Sequence, residues 1–109
     1  MENEYLVYEK LCDDVKRISD SFGLESEIFP MKRYYYSDGP NSKGYYEEIR
    51  LLFHGKQACN SRHFMYSISA LNWELLVSRD CAYDCFIKEL SRRVREELVE
   101  VKHEHLSNK

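Results

Sequence analysis

The apolar period changes twice along this chain, and that change orders its elements. In residues 4–22, Leu11, Val15, Ile18 and Phe22 recur every three or four positions, while Asp13, Asp14, Lys16 and Arg17 fall mostly elsewhere. That is the stripe of an amphipathic helix. Gly23 stands where a glycine cap ends a helix. The period then drops to two. Residues 27–36 and 45–53 read as strands around SDGPNSKG (37–44), a run dense in turn formers. In the second strand Ile49, Leu51 and Phe53 share one face, and Arg50 and Leu52 take the other. Pro30 has no N–H to give a ladder, so the first strand is expected to be an edge or an irregular one.

HGKQACNSR (54–62) reads as a loop, and 63–70 as a third strand with Phe64, Tyr66, Ile68 and Ala70 on one face. NWELLVS (72–78) fits a fourth strand with Trp73, Leu75 and Val77 inward, with a short helix as the alternative. From Asp80 to about His103 the helical period returns through Tyr83, Phe86, Ile87, Leu90, Val94, Leu98 and Val101. This stripe is wide, which suits packing on a sheet better than a coiled-coil seam. Residues 104–109 are expected to fray.

The sequence therefore predicts one α+β domain over residues 1–109. It comprises an N-terminal helix, a three- or four-stranded antiparallel meander and a long C-terminal helix, both helices on one sheet face. The expected core is Leu11, Val15, Ile18, Phe22, Ile49, Leu51, Phe53, Phe64, Ile68, Phe86, Leu90 and Val94. The other sheet face is left open, or closed by a second copy in a homodimer. This element order is also that of the double-stranded-RNA-binding domain. That family's second helix opens with a basic cluster after a Gly-rich turn, whereas this one opens with acidic Asp80 and Asp84. Only the order is shared, and the family is not assigned.

Length and charge narrow the function. A chain of 109 residues holds one core but not a deep active-site cleft besides. No apolar run approaches the roughly 18 residues of a membrane span. The start MENEYLVYEK is acidic and lacks the pattern of a secretory signal, so a cytoplasmic location is expected. The net charge of -3 argues against a general nucleic-acid binder. The acidity is concentrated in residues 1–27, where Glu2, Glu4, Glu9, Asp13, Asp14, Asp20, Glu25 and Glu27 face only Lys10, Lys16 and Arg17.

Tyrosine is the functional signal. Of nine tyrosines, Tyr34, Tyr35, Tyr36, Tyr45 and Tyr46 crowd into one hairpin. Alternation puts Tyr34 and Tyr36 on one face and Tyr35 on the other, and it splits Tyr45 from Tyr46. Some rings must therefore face away from the core. Tyrosine joins a rigid apolar body to a polar tip, which suits partner contact. Lys32, Arg33, Lys43 and Arg50 lie nearby. Aromatic and Arg residues dominate protein-interface hot spots, and the same mixture can stack bases. The plain alternative is that aromatics favour strands and pair across them.

Other chemistry is sparse. Cys12, Cys59, Cys81 and Cys85 are expected to be reduced. Cys81 and Cys85 are four apart on a helix and could hold two corners of a metal site with Cys59 and His63. No CxxC knuckle supports this, and burial as small apolar side chains is the preferred reading. Neither a metal nor a cofactor is expected. Adjacent Glu47 and Glu48 point to opposite faces of a strand and cannot act as an acid–base pair. No nucleophile elbow, P-loop, GxGxxG or HExxH is present, so no enzymatic activity is expected.

The function read from sequence is a small non-catalytic binding module, an inhibitor, immunity or accessory factor such as mobile elements carry. It would occlude or bridge a larger protein through Arg33, Tyr34, Tyr35, Tyr36, Lys43, Tyr45, Tyr46 and Arg50. The alternative is a nucleic-acid-binding module built from the same hairpin.

Overall fold

The computed structural model describes residues 2–37, 39, 40, 43–55 and 63–107. In chain order come α1 (Glu2–Ser21), β1 (Glu25–Ser37), β2 (Lys43–His54), β3 (His63–Ser69), α2 (Ala70–Ser78) and α3 (Asp80–Ser107). The three strands form an antiparallel meander in the order β1-β2-β3, and the fold is α+β as the sequence implies.

Gly23 ends α1 by adopting a φ of 70°, which costs a residue without Cβ little. Its N–H then donates to the Asp20 carbonyl at 3.1 Å, and the Leu24 N–H donates to the Ser19 carbonyl at 2.8 Å. This pair of bonds is a Schellman cap, and it turns the chain directly into β1. Buried Ser19 donates its hydroxyl to the Lys16 carbonyl at 2.8 Å. The 2.9 Å contact between the Ser19 and Ser26 hydroxyls is thus donated by Ser26 and ties α1 to β1.

One sheet face carries the core. Ile49, Leu51 and Phe53 of β2 and Phe64 and Ile68 of β3 are buried in one cluster with Leu11, Val15, Ile18 and Leu24. Trp73, Leu76, Tyr83, Leu90 and Val94 bring α2 and α3 into the same cluster. Phe22 and Phe86, expected in this core, are only half-buried against it. Two buried aromatics keep their polar tips bonded to α1. The Trp73 indole N–H donates to Glu4 at 3.1 Å. The Tyr83 hydroxyl donates to Asp14 at 2.5 Å. Burial, followed by this bond, raises the Tyr83 pKa above its ordinary range.

Residues 72–78 are not a fourth strand. They lie within α2, whose start is capped by Ser69, its hydroxyl accepting from the Asn72 N–H at 3.3 Å. Trp73 and Leu76 point inward, and Leu75 is exposed. The C-terminal helix also runs further than expected, to Ser107 rather than about His103. Cys81 and Cys85 are exposed and Cys12 half-buried, against the expectation of buried thiols. The first turn of α3 turns its inner face through Ala82 and Tyr83, leaving both cysteines outside. Cys59 lies outside the described residues, as does most of the 54–62 loop. Among the described residues, no group of three or more His, Cys, Asp or Glu side chains could hold a metal ion. No described helix is long and apolar enough to cross a membrane.

Candidate binding surface on the tyrosine hairpin

The hairpin's geometry depends on one irregularity. From Glu25 to Phe29, β1 pairs regularly with His54 to Arg50 of β2. The register then shifts between Phe29 and Lys32, at Pro30 and Met31, and resumes as Lys32↔Glu48. The extra residue is a bulge, placed where Pro30 lacks the donor a regular ladder would use. It switches the phase of β1. Before it, odd-numbered residues lie on the face away from the helices; after it, even-numbered residues do.

Beyond the bulge the pairs alternate between the faces. Lys32↔Glu48, Tyr34↔Tyr46 and Tyr36↔Gly44 lie on the open face. Arg33↔Glu47, Tyr35↔Tyr45 and Ser37↔Lys43 lie on the helix side. The residues grouped from sequence as one binding surface therefore form two clusters, back to back, split as strand alternation implies. Both are exposed: Tyr35 is 75% accessible, Tyr45 54%, Tyr36 46% and Tyr46 43%.

On the open face three rings form a ladder. Tyr46 stacks between Tyr34, with centroids 5.6 Å apart and planes at 22°, and Tyr36, at 6.2 Å and 29°. The Arg50 guanidinium lies 3.6 Å from the Tyr34 ring centre. It donates to Glu48 at 2.9 Å and reaches the Tyr46 hydroxyl at 3.4 Å. The side chain of Tyr36 covers Gly44, where a Cβ would meet its hydroxyl at 2.5 Å. Only glycine leaves room for that ring.

The helix-side cluster repeats the scheme. Tyr35 and Tyr45 sit 6.2 Å apart at 56°. Arg33 lies 4.1 Å over Tyr45 and donates to Glu47 through Nε at 3.2 Å and Nη2 at 3.0 Å. In both clusters the arginine pKa is raised, first by its hydrogen bond to the glutamate. Each guanidinium is thus a flat, neutralised shelf on an aromatic ring.

Glu47 and Glu48 are the residues that sequence reasoning missed. Their opposite orientation is as expected, but its use is to give each face a carboxylate for its arginine. Counting outward from the Tyr35↔Tyr45 pair would have found Arg33 opposite Glu47.

No family model matches this chain, and no curated protein or solved structure is found to resemble it.

Proposed function

We propose that this chain is a non-catalytic protein-binding module whose tyrosine hairpin enters a cleft of a larger protein and occludes it. The observation that carries this reading is the double-sided exposure of the hairpin, with an aromatic–arginine shelf on each face and each arginine neutralised by its own glutamate. A blade bearing rings on both sides suits a cleft better than a flat surface. Cross-strand pairing gives the chain only roughly 0.2–1 kcal/mol per pair. A buried aromatic anchor in an interface is worth about 2 kcal/mol or more. The rings therefore have more to contribute in a complex than in the free chain.

The same geometry weighs against nucleic acid. The residues that would form such a platform divide between faces: Tyr34, Tyr36 and Arg50 on one, Arg33, Lys43 and Tyr45 on the other. The open sheet face sets Glu25, Glu27 and Glu48 against Lys32 and Arg50. A surface that neutralises phosphates needs an excess of cations.

The test starts with capture of the partner from nuclease-treated native lysate, followed by titration of the purified partner. Tyr34→Ala with Tyr46→Ala removes the open-face rings, and Tyr35→Ala with Tyr45→Ala the helix-side rings. Each double variant should weaken binding by about 30-fold or more. Loss from one variant alone would reduce the blade to a one-faced contact, and loss from neither would remove the hairpin from the account. Glu47→Gln with Glu48→Gln should create a salt-sensitive nucleic-acid affinity that wild type lacks. Steeply salt-dependent binding in wild type itself would instead support the nucleic-acid reading.

A further inference from the structure

The two edges of the sheet are built differently. The β1 edge carries Pro30, a bulge and the charges Glu25, Glu27, Lys32 and Arg33. These are the devices that stop an edge strand from pairing with another chain. The β3 edge, HFMYSIS, has no proline, no Lys, Arg, Asp or Glu, and an unbroken register with β2 from His63 to Ser69. Among the described residues, its other side has no strand neighbour. A groove of about 390 Å³ runs beside it, lined by Met65, Tyr66 and Ser67 of β3 and by Phe86, Glu89 and Arg93 of α3 among others.

The burial of β3 is symmetric about Tyr66. It reads the same in both directions: exposed, buried, exposed, intermediate, exposed, buried, exposed. We propose that β3 pairs antiparallel with β3 of a second copy, about a two-fold axis at Tyr66 and normal to the sheet. Phe64 of each copy would then lie opposite Ile68 of the other, Met65 opposite Ser67, and His63 opposite Ser69. Apolar core positions meet apolar core positions, and exposed positions meet exposed ones. The helices of both copies stay on the same side of a continuous six-stranded sheet. Glu89 and Arg93 on the α3 side of the groove pair with each other at 3.3 Å, so they set no unpaired like charges against the second copy. The pairing leaves both tyrosine hairpins free at the far edges, so the dimer stands independently of the cleft-binding reading.

Sedimentation of the full chain across the micromolar range tests this, with hydrogen exchange read at both ends of the range. Wild type should approach twice 13.1 kDa, with β3 amides gaining protection as concentration rises. Ser67→Lys or Met65→Lys places like charges close to the two-fold and should raise the dimer dissociation constant about tenfold or more. Tyr35→Ala, on the hairpin, should leave it unchanged. A wild type that stays monomeric throughout overturns the proposal. So does a dimer untouched by both lysine variants, or one whose protection appears in the hairpin instead of β3. If a lysine variant fails to fold by circular dichroism, the exchange pattern of wild type decides alone.

Discussion

The two ends of β2 obey the same alternation and meet opposite fates. From Ile49 to Phe53 the strand is one wall of the core, and Ile49, Leu51 and Phe53 are buried to within 1%. From Lys43 to Glu48 no residue is buried, and Tyr45 and Tyr46 are exposed on opposite faces. The helices cover one end and leave the other bare. Apolar residues at the covered end hold the fold, and aromatic residues at the bare end are free for a partner. The same alternating sequence can thus encode stability or recognition, and coverage by neighbouring helices decides which.

The comparison breaks first at the covered end. Phe53→Ala should cost about 3–5 kcal/mol of unfolding free energy, and Leu90→Ala about 2–5 kcal/mol. Tyr35→Ala at the bare end should cost only about 0.2–1 kcal/mol, the worth of its cross-strand pair with Tyr45. Denaturant titration of the three variants checks the gradient. A Phe53→Ala protein as stable as wild type would show that this face of β2 is not the core wall.

A smaller effect tests a tyrosine that serves the fold. Tyr83 is 3% accessible and donates to Asp14, unlike the hairpin rings. Tyr83→Phe should cost about 1.5–3 kcal/mol, the range for a hydrogen bond to a charged group. The pH dependence has a definite sign. The folded-state pKa is raised, so the unfolded chain loses its tyrosine proton first, near pH 10. Tyr83 therefore contributes full stability below about pH 10 and loses it as pH rises toward the folded value. Unfolding measured from pH 8 to 11 should show wild type losing stability faster than Tyr83→Phe. Parallel curves would mean that Tyr83 titrates alike in both states.

These contrasts also mark what the sequence could tell. Helix periods, the turn and strand alternation are local, and ten of the twelve expected core residues are buried. Pro30 also announced an irregular edge strand by its missing donor. Residues 72–78 misled because apolar Trp73, Leu75, Leu76 and Val77 satisfy both periods. The deciding signal was Ser69, an N-cap type placed just before them. The site was legible only in part. Alternation separates Tyr34 from Tyr35, but pairing Tyr34 with Tyr46 depends on the register beyond the bulge. That register is a property of two strands together. The roles of Glu47 and Glu48 follow from it, and so escaped a reading of either strand alone.

The smallest effect separates the two uses of β2 most sharply. Gly44 gives up its side chain so that the Tyr36 ring can lie across it, and an added Cβ would come within 2.7 Å of Cζ as well as meeting the hydroxyl. Gly44→Ala must therefore swing the ring away from Tyr46. Alanine recovers roughly 0.5–1 kcal/mol of backbone entropy relative to glycine in a strand. Losing the Tyr36–Tyr46 pair gives back a similar amount, about 0.2–1 kcal/mol. The thermal midpoint should therefore barely move, while affinity for the partner falls as the open-face ladder loses its outer ring. A large drop in midpoint would instead assign the ladder to the fold, and the bare end of β2 would join the covered end as structure.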